Sequence, residues 1–218
     1  MRALISAFIL GIAGTMAAPA LAQDDALKAG KRVYMTKTCL ACHGRNGAKP
    51  IMSYPALAGQ NEKYLISQLE IIKEGGRVGT VDEATGHPYI KGMADIMHLL
   101  DKKDIKAVAK YLTAQDPAAP EVLDPAPDEA TLEEGAAAYK RLGCKSCHGK
   151  DGTKASNKAY PIIAALDRDY LVRQMTEMRD KVRTSGKSKL MFGVIKRASD
   201  EDIAAIATWL SQNERPSK

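Results

Sequence analysis

The sequence predicts an all-α protein assembled from two tandem copies of one helical module. Three observations predict it. The pentapeptide Cys-x-x-Cys-His stands at residues 39–43 and returns at 144–148, 105 residues on. The residues around it recur in the same order. The apolar positions follow helical spacing, and no stretch alternates convincingly enough for a strand.

The repeat can be followed in three blocks. Gly30, Tyr34, Cys39, Cys42, His43, Gly44 and Gly47 return 105 residues later as Gly135, Tyr139, Cys144, Cys147, His148, Gly149 and Gly152. Tyr54-Pro55, Tyr64-Leu65 and Gln68 return at an offset of 106 as Tyr160-Pro161, Tyr170-Leu171 and Gln174. Met93, Ile105, Ala109 and Leu112 match Met191, Ile203, Ala207 and Leu210 at an offset of 98, so the second copy is eight residues shorter ahead of its Met.

Taken in order, residues 1–22 read as a targeting segment: Arg2, an apolar run from Leu4 to Ala18, and a small-x-small cleavage site at Ala20-Leu21-Ala22. The run is short for a membrane span, which needs about 20 residues; an uncleaved N-terminal anchor is the competing reading. Residues 23–116 form the first domain, 117–130 a linker rich in proline and acid, and 131–218 the second domain. In the first domain Asp24 and Asp25 precede an amphipathic run to about Lys37 that carries Gly30, Val33 and Tyr34 on one face. A second helix carries Tyr64, Leu65, Gln68, Leu69 and Ile72 and stops at Gly75-Gly76. The closing helix runs from Asp101 to Thr113. Its counterpart opens at Ser199, with Asp202 in capping-box position. Tyr111 and Trp209 occupy matched places on these closing helices, and the first and last helices of each domain are expected to cross at Gly30 and Gly135. The proline-rich connector, centred on residues 116–128, cannot be helical and should be extended and stiff.

Formal charge is +6 over the whole chain. It divides as +1 over residues 1–22 (Arg2), +3 over 23–116, −6 over 117–134 and +8 over 135–218. A basic module beside an acidic connector suits docking to an acidic surface of a redox protein, whether oxidase, reductase or dehydrogenase, or to anionic lipid headgroups. Nucleic acid is not an expected partner in an exported protein. Arg179, Lys181, Arg183, Lys187, Lys189, Lys196 and Arg197 surround Met191. They read equally as a docking rim or as a solvated loop.

All four cysteines lie in the two pentapeptides. Cys-x-x-Cys-His is the attachment pattern of a c-type haem: two thiols bond the vinyl groups and the adjacent His ligates the iron. A redox dithiol needs no following His, a zinc site needs four neighbouring ligands, and a disulfide framework scatters its cysteines. The expectation is therefore two covalently bound haem c groups, held by Cys39, Cys42, Cys144 and Cys147, with His43 and His148 as axial ligands. A thioether as sixth ligand would close each site and raise its reduction potential. Only Met93 and Met191 are repeat-matched, each twelve residues before the Ile that begins a closing helix. Met97, the rival of Met93, pairs with Ile195 and reads as core. His87 and His98 have no His counterparts and read as surface or structural residues. Pro55 and Pro161 are placed to orient the ligating imidazoles through their carbonyl groups.

The paired motifs, Tyr54-Pro-Ala-Leu-Ala-Gly-Gln60, Tyr64-Leu65 with Gln68, and the closing helix after a ligand Met resemble the di-haem cytochrome c4 family. The resemblance covers the chain beyond the targeting segment. It is stronger in the first half, since Tyr160-Pro-Ile-Ile-Ala-Ala-Leu166 departs from the Leu-Ala-Gly-Gln pattern. It implies two class I cytochrome c domains related by a pseudo-twofold, with haem propionate edges facing each other. The implied role is one-electron transfer in the periplasm between a respiratory donor and a terminal oxidase or reductase, without catalysis of its own. Two other readings stay open: the cytochrome subunit of a periplasmic dehydrogenase (flavocytochrome c sulfide dehydrogenase or thiosulfate-oxidising type), and a di-haem enzyme of the peroxidase kind, which would need one open iron.

Overall fold

The computed structural model describes residues 18–217, with side chains from Asp24 onward. The targeting segment expected over 1–22 lies outside the described residues up to position 17.

The first half opens with α1 (Ala18–Thr36), followed by the one-turn α2 (Cys39–His43), α3 (Glu62–Lys73), the strands β1 (Val81–Asp82) and β2 (His87–Pro88), α4 (Lys91–Ile96) and α5 (Lys102–Thr113). The second half repeats the plan with α6 (Glu129–Leu142), α7 (Lys145–His148), α8 (Arg168–Arg179), α9 (Phe192–Ile195) and α10 (Asp200–Gln212). Short 3-10 turns connect them at 45–47, 97–99 and 186–191. The fold is all-α with two related halves, as expected.

Two details differ from the sequence reading. Helix α1 opens before Asp24 and Asp25, because the Ala-rich run ahead of them is itself a good helix former. The hairpin of β1 and β2, with Val81 opposite Pro88 and Asp82 opposite His87, was not expected. Two-residue strands are too short to show an alternating pattern. The hairpin is made instead by its turn: Asp82 accepts from the Ala84 amide and the Thr85 hydroxyl, and Gly86 takes φ +69°. It falls in the eight-residue surplus of the first copy.

In each half the first and last helices cross at glycine. A Cβ on Gly30 would overlap the Ala107 carbonyl and lie 2.5 Å from Tyr111 Cβ; on Gly135 it would overlap the Ala205 carbonyl and lie 2.6 Å from Trp209 Cβ. Glycine is what lets the backbones meet. The rings pack beside the crossing, Tyr34 on Tyr111 with centroids 5.7 Å apart and Tyr139 on Trp209 at 5.0 Å. Each half has its own core. Tyr34, Leu65, Met97, Ile105, Val108 and Leu112 belong to the first; Tyr139, Leu171, Met175, Ile195, Ile206 and Leu210 to the second. Both closing helices start in a full capping box, Asp101 with Asp104 and Ser199 with Asp202.

The connector carries no regular structure, and it is more than a stiff spacer. Ala118 is buried in the second core. The Glu121 amide donates to the Ser211 carbonyl (3.0 Å), Gln212 donates to the Glu121 carbonyl (3.0 Å), and the Glu121 carboxylate accepts from the Arg168 amide (2.7 Å). The segment is strapped to the second half by its own backbone.

Candidate functional site

The first pentapeptide forms the short helix α2; in the second, Cys144 is the N-cap of α7, which holds the other four residues. On one helical turn, positions i, i+3 and i+4 face the same way, so the two thiols and the imidazole of each motif are presented together. Gly44 and Gly149 follow with φ +69° and +84°, and the space beside each α-carbon is filled by the carbonyl of Lys49 or Lys154. That excludes any side chain and explains why both glycines recur. The first helix of each half buttresses the turn: the Tyr34 hydroxyl donates to the Gly44 carbonyl (2.6 Å) and Tyr139 to Gly149 (2.8 Å).

His43 is 4% exposed and His148 6%. In each, Nδ1 lies 3.0 Å from a proline carbonyl, Pro55 for His43 and Pro161 for His148. A carbonyl can only accept, so Nδ1 carries the proton and Nε2 is left with a bare lone pair. Burial pushes both imidazoles below their usual pKa, opposed by the proline carbonyls, so both rings are neutral. Nε2 of His43 is buried with no hydrogen-bond partner. An orphaned buried acceptor costs about 1–3 kcal/mol, and coordination to a metal removes that cost. The prolines thus do what the sequence anticipated: they fix the tautomer and aim the other nitrogen.

The thiols suit covalent attachment better than redox exchange. Burial pushes Cys39 up and pushes Cys144 up to about 11, with the neighbouring Cys147 adding to it. A reactive dithiol needs the opposite shift. Cys42 and Cys147 are exposed. Among the described residues no three His, Cys, Asp or Glu side chains stand together as a metal-ion site.

Both histidines open onto one continuous apolar cleft with about 1880 Å³ of open space, its solvent mouth included. The cleft runs across the boundary between the halves, from His43, Tyr64 and Met93 to Cys144, His148 and Met191. Apolar walls, the orphaned imidazole nitrogen of His43 and the thiols of Cys144 and Cys147 beside His148 suit a haem; Cys39 borders a smaller apolar void that His43 and Met93 also line.

Met93 and Met191 are half-buried and both line this cleft. Met97 is buried in the first core; it borders a smaller void beneath Cys39, His43 and Met93 and does not line the main cleft. Its partner by repeat, Ile195, is equally buried in the second core. His87 and His98 are exposed and line neither space. Of the basic residues around Met191, Arg183 does not belong on a rim: it is 6% exposed and turned inward. Its guanidinium finds amide oxygens between the halves, donating to Gln174 (2.6 Å) and Gln68 (2.9 Å). Arg179 is paired with Asp180 and Asp200, whereas Lys181, Lys187, Lys189 and Lys196 are exposed.

Several residues that join the two halves escaped the sequence reading. Gln60 donates to the Ile162 carbonyl and accepts from its amide, both at 2.8 Å, and Asn61 donates to the Tyr160 carbonyl (2.8 Å). Glu177, 2% exposed on α8, accepts from the Thr80 amide (2.9 Å), the Thr80 hydroxyl (3.0 Å) and Gln174 (2.9 Å). Arg77 donates to Gln68, Tyr170 and Gln174. A signal for the arginines was present: Arg77 and Arg183 are 106 apart, the same offset as Gln68 and Gln174. Glu177 had none, since its repeat position is Ile71.

The family model for cytochrome c matches residues 27–116 and again 132–214. Cytochrome c4 of Azotobacter vinelandii is 31% identical over 215 residues, spanning 96% of this chain and 97% of that protein. A protein of Thiomonas intermedia (strain K12) named thiosulfate dehydrogenase electron acceptor is 28% identical over 80% of this chain and 77% of its own length. Among solved structures, reduced recombinant cytochrome c4 from Pseudomonas stutzeri superposes with a TM-score of 0.70 at 27% identity, covering 87% of this chain and 99% of that one.

Proposed function

The chain belongs to the di-haem cytochrome c4 family, and from that premise we propose how its residues divide the work of an electron carrier. It carries two covalently bound haem c groups, one in each tandem cytochrome c domain. When bound, each haem supplies a reversible one-electron couple. Cys39 and Cys42 tether the first and Cys144 and Cys147 the second. His43 and His148, held by Pro55 and Pro161, would each give an iron an imidazole nitrogen, and Met93 and Met191 would each give it a thioether sulfur. The observation that carries this assignment is the buried, partnerless Nε2 of His43 facing a cleft that Met93 also lines.

With an imidazole and a thioether of the chain on each iron, no position would be left for a substrate, and the protein would move electrons and leave bond-making to others. Its partners are redox proteins. The exposed lysines at 181, 187, 189 and 196 supply the positive face for an acidic docking surface. Among the described residues no helix is long and apolar enough to cross a membrane. Release into the periplasm after cleavage near Ala22 agrees with the attachment chemistry, which belongs to that compartment.

A second reading is supported by the likeness to a thiosulfate dehydrogenase electron acceptor: a dedicated acceptor or cytochrome subunit of a periplasmic dehydrogenase. One experiment addresses both. The purified, haem-loaded protein is titrated with a one-electron oxidant, then exposed in the reduced state to carbon monoxide. Uptake of two equivalents with an unchanged spectrum under the gas is the expected result. A carbon monoxide complex, or turnover of hydrogen peroxide, would place it with the catalytic di-haem proteins. Stable copurification with a dehydrogenase would favour the second reading.

A further inference from the structure

Little of the two arms that carry Met93 and Met191 is buried. Met93 belongs to α4, a helix of six residues with none buried. Met191 precedes α9, where only Ile195 is buried. Each arm enters a core farther on, through Met97 and Leu100 in the first half and through Ile195 and Ala198 in the second. Whatever fixes those entry points therefore sets where each sulfur lies.

In both halves a cation at the end of another helix grips the entry point. Lys73, the last residue of α3, donates to the carbonyls of Met97 (3.0 Å) and Leu100 (2.5 Å). Arg179, the last residue of α8, donates to the Ala198 carbonyl (3.5 Å) and to Asp200 in the first turn of α10 (2.6 Å). Lys73 and Arg179 are 106 apart, as are Tyr64 and Tyr170 on the same two helices. Leu100 and Ala198 are 98 apart, as are Met93 and Met191. The contact is thus repeated although one cation is Lys and the other Arg. It also survives the eight-residue difference between the copies, which falls in the loop it closes. The negative end of a helix favours a cation at this place. A charged donor bonds a carbonyl more strongly than a neutral one, and an ammonium has protons enough for two carbonyls. The grip is tighter in the first half, since Arg179 divides its guanidinium among Ala198, Asp200 and Asp180.

We propose that Lys73 and Arg179 are positioning residues for the axial thioethers: each pins the far end of the arm that carries Met93 or Met191, and so holds the sulfur in place against competing ligands. The proposal rests on the reading of those methionines as ligands and deepens it by naming what keeps them there. A tethered ligand competes through its effective concentration, which falls once the tether is free to move. Loss of a hydrogen bond from a charged donor changes an equilibrium by roughly tenfold or more. Lys73 is exposed, so the lower end of that range applies.

The test titrates the oxidised, haem-loaded protein with imidazole while the thioether-to-iron band is followed in the near infrared. Met93→Leu and Met191→Leu first divide that band into its two shares. Lys73→Leu removes the donor, and should lower the imidazole concentration that displaces the Met93 share by roughly tenfold. The Met191 share should stay as in the wild type. Lys73→Arg should restore most of the resistance. Arg179→Leu should weaken the Met191 share by roughly threefold, the smaller effect expected of a divided, partly solvated contact; it tests the same claim if Lys73→Leu fails to mature. Lys63→Leu, at an exposed position of the same helix as Lys73, should change neither share. Hydrogen exchange reads the arm itself: amides of residues 93–100 should exchange faster in Lys73→Leu, and those of 191–198 at the wild-type rate. Wild-type resistance in Lys73→Leu would overturn the proposal. So would an equal weakening of both shares, the mark of a general loss of stability. A band that neither methionine substitution touches would instead overturn the ligand reading.

Discussion

Replacing Glu177 by Ala should loosen the two halves from each other. The carboxylate is 2% exposed and accepts three hydrogen bonds, two of them from Thr80 in the other half. A hydrogen bond to a charged group contributes about 1.5–3 kcal/mol, and a buried donor left without a partner costs about 1–3 kcal/mol. These figures overlap and do not add fully, because the Thr80 hydroxyl and the Gln174 amide can turn elsewhere. The Thr80 amide cannot, and Arg77 also loses a compensating charge. The expected cost is therefore about 3–5 kcal/mol, the range for breaking a buried charged contact on one side. Glu177→Gln keeps an acceptor for Thr80 but sets its own NH2 against that of Gln174, and should cost about half as much. Guanidinium denaturation followed in the far ultraviolet and in the Soret band measures both, and Glu177→Ala should separate one transition into two. A double-mutant cycle with Thr80→Val, which spares the backbone donor, should give a coupling of about 1 kcal/mol. A Glu177→Ala protein within about 0.5 kcal/mol of wild type would behave like a surface variant and refute the reasoning.

Two further perturbations test the site and the fold separately. Met93→Leu and Met191→Leu should each abolish the thioether-to-iron charge-transfer absorption of one haem, seen in the near infrared, whereas Met97→Leu should keep both bands and cost less than about 1.5 kcal/mol as a volume-conserving core exchange. Loss of a band in Met97→Leu would reverse the assignment. Gly135→Ala should destabilise by about 3 kcal/mol or more in thermal melts, since the added methyl meets the Ala205 backbone, which cannot rotate away. Gly143→Ala adds its methyl to open space at φ +84° and should cost only the ~1–2 kcal/mol of a left-handed residue; equal costs would mean that the helix crossing is not held by close backbone approach.

Much of the functional architecture is local or repeated, and such features are legible in a chain. Two thiols and an imidazole on one helical turn need only their spacing. Gly30, Tyr34, Gly44 and their counterparts recur because each half solves the same packing problem, and a constant offset along the chain is enough to mark them. Met97 against Met93 could be weighed in the same way, since a core position is matched by Ile195 and a cleft position by Met191. What stayed hidden was the relation between halves. Glu177 has an apolar repeat partner, the hairpin is two residues deep, and Arg183 looked like one more cation in a basic loop.

The sequence by itself determined the fold class, the duplication, the two attachment turns and the helix crossings, because each depends on spacing along one helix or on equivalence between copies. The tertiary structure alone decided that both histidines open onto a single cleft, that the connector is strapped down, and that four cross-boundary side chains share two charges. The physical reason is that such contacts join residues about 100 apart with no fixed period. They exist only once both cores have formed and the faces have met.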